Sequence, residues 1–314
     1  MKNKINLLEE DLQCLIWLWR WKLLSTHALK LGVYKSKNLD RTYRRLLKLE
    51  KIKYIQTYWS RDGKFCLWQL SDKGYELLKT NYPDHFSGGY KSENPNHDFW
   101  VTAIHLGDWI SGKPDKGLIY SEQELRRYET SQYPNWVPST KINRADGYWK
   151  TNSDLHNKDA LVALEVELSK KGTYRYNELG KFYVENIYIS QVIWVVKSES
   201  DMKYIHKHLM RDISMDKNIH SFITVNQFIA QGWQSKIVFG KNLGKSIWDV
   251  LHPDSVPDKT HEIHQGLLDF RKKPIKSKTQ TIITGADLGL NRYILKSTDY
   301  STPEYLEPGL TNEL

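Results

Sequence analysis

The run "ALVALEVELSKKG", residues 160–172, constrains this chain more than any other stretch. It is long, apolar and rich in Val and Leu, so it reads as a strand buried near the centre of a sheet. Yet it carries Glu165 and Glu167. On a strand, Val162, Leu164, Val166 and Leu168 share one face, and Ala163, Glu165 and Glu167 share the other. The two carboxylates then point the same way, roughly 6.6–7 Å apart. Like charges so placed repel, and burying them without partners is costly. The plain alternative is a half-exposed strand whose polar face is solvated.

The neighbours of this run suggest chemistry. Asp146 lies nineteen residues before Glu165, at the end of a short strand within "RADGYW", and Lys170 and Lys171 follow the run directly. Acid, spacer, acid-x-acid, lysine is a set of hard oxygen ligands with a cation beside it. Mg²⁺ (or Mn²⁺) takes such ligands, one or two carboxylates with water and phosphate oxygens. Asp146, Glu165 and Glu167 are the metal candidates. Lys171 would support a charged phosphate in a transition state; its plain reading is a surface helix residue.

Flanking segments place that strand in a mixed α/β domain. "HDFWVTAIHLGDWISG" predicts a helix started by Asn96 or Asp98 and ended near Gly112. Strands are expected around "GLIYSEQEL", around Asp146, at "SQVIWVVKS" and at "HSFITV". Helices are expected over "KKGTYRYNELGKFYVENI", with Tyr176, Leu179, Tyr183 and Ile187 on one side, and over "DMKYIHKHLMRD". Accessory candidates are His97, as a phosphate contact or a support for a metal ligand, with Arg175 and Tyr176. Packing is the plain reading of Tyr176, and helix capping that of His97. No internal repeat and no phosphate-loop pattern is present.

The first quarter has a different rhythm. "EEDLQCLIWLWRWKLL" predicts a helix with acidic residues in its first turn, too short and too interrupted by Arg20 and Lys22 to cross a membrane. A short helix follows Ser25, and a third starts near Ser36 or Asn38. Leu39, Tyr43, Leu46, Leu47 and Leu49 face inward on that third helix, while Arg41, Arg44, Arg45 and Lys48 form a basic face. "YIQTYW" and "FCLWQL", joined by "SRDGK", predict a hairpin, and "SDKGYELLK" a closing helix.

Three helices, a hairpin and a "LSDKGYELL" ending resemble the winged helix-turn-helix superfamily. By that resemblance the third helix enters the major groove and Arg61 and Lys64 on the wing touch the backbone. The alternative is a winged helix used for protein contacts. Net charge of +9 favours an anionic partner, double-stranded DNA before membrane, with single-stranded DNA at a nick also accommodated; the plain reading of that charge is solubility. Cys14 and Cys66 give no disulfide framework and no zinc site by themselves, which points to a reducing, cytoplasmic compartment.

The segment around Asp146, "ADG", and the "EVE" of the strand resemble the PD-(D/E)XK nucleases. The proline is absent, and Glu167 stands where that motif has lysine, with Lys171 as a substitute. The order of "NHDFWVTAIHL", "RADGYW", "ALEVELSKKG" and "RYNELGKFY" behind a winged helix resembles the replication-relaxation and MobC-type plasmid mobilisation proteins. That resemblance implies an N-terminal winged helix-turn-helix domain (1–80) and a restriction-endonuclease-like mixed-sheet domain (96–250); the segment between them, dense in Pro, Gly, Ser and Asn, reads as a linker (81–95), and past residue 250 the patterning decays into an extended or partly disordered tail (251–314). The implied function is a metal-dependent, site-specific DNA endonuclease or relaxase-like nickase at a plasmid or mobile-element origin. A homodimer or other relaxosome or replication proteins are the implied partners. The alternatives are a non-catalytic DNA-binding replication or transcription regulator on a degenerate nuclease-like scaffold, and a dimerising structural subunit.

Overall fold

The computed structural model describes residues 6–36, 38–59, 66–81, 88–111, 118–126, 138, 143–153 and 158–252. The chain divides into two compact units. The first runs to Thr102 and the second takes up at Ala103, so the boundary lies inside one helix.

In the first unit, helix α1 (Glu9–Trp21) is followed by α2 (Thr26–Gly32) and α3 (Leu39–Lys51). The starts of α2 and α3 have a local cause. Ser25 Oγ accepts from Ala28 N at 3.1 Å, and Asn38 Oδ1 accepts from Asp40 N at 2.8 Å. A two-stranded antiparallel sheet follows, β1 (Ile55–Trp59) with β2 (Cys66–Leu70), in the register Ile55↔Leu70 to Trp59↔Cys66. Helix α4 (Asp72–Asn81) closes the set. Leu15, Leu18, Trp19, Leu46, Leu49 and Trp68 are buried here. The indole N–H of Trp68 is satisfied by Thr26 Oγ1 at 2.9 Å. Cys14 is buried and Cys66 half-buried, both free, and burial raises each thiol to about 12.

Helix α5 (Pro95–Ser111) leads into the second unit. It begins at Pro95, a residue or more before the expected start, because proline suits a first helical turn whose N–H groups have no helical partner. A six-stranded sheet follows in the order β3-β4-β5-β6-β7-β8. Its strands are β3 (Leu118–Ser121), β4 (Gly147–Ser153), β5 (Lys158–Glu167), β6 (Ile189–Val196), β7 (His220–Thr224) and β8 (Phe239–Gly240). The β5–β6 and β6–β7 pairs are parallel, and the others antiparallel. Parallel neighbours require crossovers, and α7 (Thr173–Glu185) and α8 (Glu199–Leu209) provide them. The fold is therefore mixed α/β.

Helix α6 (Glu122–Leu125) replaces the continuation of β3. Ser121 and Glu124 form a capping box there, which turns the chain into helix. Two short helices, α9 (Val225–Gln231) and α10 (Ile247–Leu251), end the described chain. Leu161, Ala163, Val192, Trp194, Val196 and Phe222 on the sheet pack with Tyr176, Leu179, Tyr183, Met202, Ile205 and Leu209 of α7 and α8. Gly180 permits this close approach, since a Cβ there would strike the Leu209 carbonyl.

Ile187 departs from the expected stripe. It lies in the turn after α7 and is 86% exposed, because the helix ends at Glu185. No helix among the described residues is long and apolar enough to cross a membrane. The expected tail segments, from 253 on, lie outside the described residues.

Candidate functional site

The end of β5 is where charge accumulates. Gly147 pairs with Leu164 at the start of β4, and Glu165 and Glu167 pair with Trp194 and Val196 of β6. Position 165 is therefore paired with β6 on one side and lies just past the end of the β4 pairing on the other. Glu165 and Glu167 are only 6% and 5% exposed, so the solvated-face reading of this strand is set aside. The cause is topological: α7 covers the face on which the odd residues of β5 lie.

Asp146 stands just ahead of β4, rather than at the end of a strand as the sequence suggested. Its N–H donates to Leu164 O at 3.1 Å, and its Oδ2 accepts from Val166 N at 2.7 Å. The aspartate thus extends the β4–β5 ladder with its own side chain. That contact brings its carboxylate beside the acidic end of β5.

Glu165 is held from two other elements. Its Oε1 accepts from Asn143 Nδ2 at 3.1 Å and from the Tyr183 hydroxyl. Asn143 Nδ2 also donates to that hydroxyl at 3.0 Å. Burial, and then the charge of Asp146, push the Glu165 carboxyl up to about 8, against the opposing pull of Tyr183, Lys171 and Asn143. Tyr183 is itself raised well above its ordinary value by burial and by Glu165.

Glu167 has a different partner. Lys171 Nζ lies 2.8 Å from its Oε2. Burial acts to lower the Lys171 ammonium, but the hydrogen bond and charge of Glu167, with Glu165 and Asp146 beyond, hold it above its ordinary value. The Lys171 side chain is 43% exposed, so the ion pair reaches the surface. Tyr176 is buried on α7, edge-on to Trp194 at 6.4 Å, and its hydroxyl accepts from Lys171 N at 2.9 Å. It packs, and it also fixes the backbone that carries the lysine. Arg175 is exposed one residue earlier.

The structure thus brings Asp146, Glu165, Glu167, Lys171 and Tyr176 together. Asn143 and Tyr183 belong to the same cluster and escape a reading by motif. Their signal is indirect: a buried carboxylate needs donors, and Tyr183 lies on the stripe of α7 that faces it. Among the described residues, no group of three or more His, Cys, Asp and Glu is placed to hold a metal ion as the side chains stand. The donors are of the right kind, all hard carboxylate oxygens, but each carboxylate is engaged within the fold.

His97 belongs to the first unit. Its Nδ1 lies 3.2 Å from Asp98 Oδ1, and Ser92 Oγ donates to Asp98 Oδ2 at 2.6 Å. On α3, Arg41 and Lys48 are exposed. Arg44 is 73% exposed and pairs with Asp40 one turn earlier. Arg45 turns the other way. Its Nε donates to Oδ1 of the fully buried Asp11 at 2.8 Å, and the same carboxylate accepts from the Tyr34 hydroxyl at 3.2 Å. Arg45 is thus a structural tie between α3 and α1. Arg61 and Lys64 lie outside the described residues. Compared with protein-family models, with curated proteins and with solved structures, the chain matches none of them.

Proposed function

We propose that the chain is a metal-dependent, site-specific DNA endonuclease of the nickase type, acting at the origin of a plasmid or mobile element. The observation that carries this reading is the convergence of Asp146, Glu165, Glu167 and Lys171 at one end of β5. Three acids and one cation, mostly withdrawn from water, are a costly arrangement for packing alone. The order of helix α5, strands β3–β5, helix α7 and strand β6 supports the likeness to PD-(D/E)XK nucleases. The helix-helix-helix-hairpin-helix order of the first unit supports a winged helix. Exposed Arg41, Arg44 and Lys48 on α3 supply phosphate contacts, which position a duplex without specifying its sequence.

In this reading Asp146, Glu165 and Glu167 would hold Mg²⁺ or Mn²⁺ once at least one glutamate left its present partner, and the cation would supply Lewis-acid polarisation of a phosphodiester. Lys171, reaching the surface, stabilises charge on the phosphate oxygens. Tyr176 positions Lys171 through its backbone, and Asp146 holds the strand end that presents both glutamates.

A second reading is a DNA-binding regulator whose sheet is a scaffold without catalysis. The engagement of every carboxylate within the fold favours it. The two part on one experiment: conversion of a supercoiled plasmid carrying the element's own origin to open circle, with Mg²⁺ or Mn²⁺, for wild type and Glu165→Ala. Nicking by wild type that the variant loses supports the endonuclease. If neither cuts while both shift the origin fragment equally, the scaffold reading stands.

A further inference from the structure

We infer that the exposed face of helix α8 is a second contact for a DNA backbone, carried by Lys203, Lys207 and Arg211. This rests on the DNA-binding part of the reading above and adds a surface on the unit that holds the candidate site. Lys203 and Lys207 stand four residues apart on α8, and Arg211 follows four further on, in the turn past Leu209. Four residues span about 6 Å of helix, so the three cations lie in one row. All three are exposed, and among the described residues no hydrogen bond or ion pair engages any of them.

The acids nearby are engaged elsewhere or lie at the far end. Asp201, in the first turn, pairs with Lys170 at 3.0 Å. Asp212 accepts from Asn177 Nδ2 at 3.0 Å and pairs with Lys181 at 3.1 Å. Glu199 is exposed at the helix start, where an acid suits the dipole. Like charges one turn apart repel, so an unpaired row of cations opposes the helix that carries it. The plain alternative is a solvated face whose cations complement the helix C-terminus. That accounts for Lys207 in the last turn but not for Lys203, which lies in the second.

Charge and shape choose the partner. Duplex DNA carries one negative charge for about every 1.7 Å of its axis, and a row of cations neutralises it without reading sequence. A membrane surface fits less well. The apolar side of α8, with Met202, Ile205 and Leu209, is buried in the core, and no large apolar side chain is exposed along the helix. The Lys170–Asp201 pair ties the start of α8 to the loop after β5. A DNA backbone lying along α8 therefore ends beside the loop that carries Lys171.

Anisotropy of a labelled duplex of about 30 base pairs, titrated with the full chain from about 50 to 200 mM NaCl, tests this. Wild type would be compared with Lys203→Gln/Lys207→Gln/Arg211→Gln and with Lys203→Arg/Lys207→Arg, with unfolding midpoints measured beside them. The slope of log affinity against log salt should shrink by about 2.7 in the glutamine variant, about 0.9 for each charge removed, and stay unchanged in the arginine variant. Over that range wild type then loses about fortyfold more affinity than the glutamine variant. Lys203→Gln alone, with an expected change of about 0.9, decides the matter if the triple variant does not fold. A folded glutamine variant with the wild-type slope overturns the inference and leaves binding through α3 intact. Loss of binding to phosphatidylserine vesicles in that variant, with the duplex slope unchanged, overturns it in favour of a membrane surface. Absence of duplex binding by wild type at the lowest salt overturns both this inference and the DNA reading, and is read from wild type alone.

Discussion

Replacing Glu165 by glutamine should stabilise the metal-free protein at alkaline pH and change little at acid pH. The carboxyl titrates at about 8 in the fold against an ordinary 4.5, so between those values the folded state holds a proton that the unfolded chain has lost. Stability therefore falls as pH rises through that window, and the loss is complete above the folded value. At about 1.4 kcal/mol per pH unit the penalty is on the order of 3–5 kcal/mol, since burial prevents water from screening it. Glutamine keeps an oxygen to accept from Tyr183 and Asn143 and never ionises. Urea unfolding of both proteins in EDTA at pH 5, 7 and 9 tests this, followed by tryptophan fluorescence. Trp149, Trp194 and Trp233 report on the second unit. Titrating groups remote from Glu165 cancel in the difference between the two proteins, while Asp146, Lys171 and Tyr183, which interact with it, contribute to the difference. The expected difference is under about 1 kcal/mol at pH 5 and grows to at least about 3 kcal/mol in favour of glutamine at pH 9. A difference that is the same at all three values would show that Glu165 is not a strained acid, and the cluster would lose its physical basis as a site.

The two kinds of basic residue on α3 should separate cleanly. Arg45→Met strands the buried Asp11 carboxylate and should cost about 3 kcal/mol, seen as a lower unfolding midpoint. Arg41→Ala and Lys48→Ala remove exposed charges, and should leave the midpoint unchanged while weakening binding to any duplex. The slope of log affinity against log salt should fall by about 0.9 for each phosphate no longer neutralised, measured by fluorescence anisotropy. Gly147→Ala should destabilise the second unit by about 1–3 kcal/mol in a thermal melt, because a Cβ there meets the His105 imidazole and lies 2.7 Å from Tyr120 O.

Helix and strand positions were legible where one period dominates. The apolar run of β6 is such a case, and on α3 the buried Tyr43, Leu46 and Leu49 and the exposed Arg41, Arg44 and Lys48 fall on the sides the spacing gives them, while Arg45, Leu39 and Leu47 do not. The cluster was half legible. Asp146, Glu165, Glu167 and Lys171 could be named because they stand in a short pattern next to one strand. Asn143 and Tyr183 could not, since their part depends on a helix crossing the sheet forty residues further on. Ile187 was misjudged because helical spacing continues past Glu185 in the sequence, although the chain turns there to enter β6. The place of Arg45 was hidden for a related reason. Charge alone does not distinguish a residue facing solvent from one facing a buried acid on another helix.

The three carboxylates are held in three unlike ways, and that difference argues for a site over a simple accident of packing. Asp146 spends an oxygen on a backbone N–H and so belongs to the sheet. Glu167 is neutralised by an ammonium that is partly in water and able to leave. Glu165 is given only neutral donors, on one oxygen, just past the end of the β4 pairing where three elements meet. A fold that needed only stability would have an amide or an apolar side chain at 165, since the neutral donors do not keep this carboxyl ionised beside Asp146 and it holds its proton up to about 8. In the reading proposed above, a cation beside Glu165 would favour its ionised form, and the linkage would run both ways: the more Glu165 strains the metal-free fold, the more tightly a ligand that relieves it would be bound.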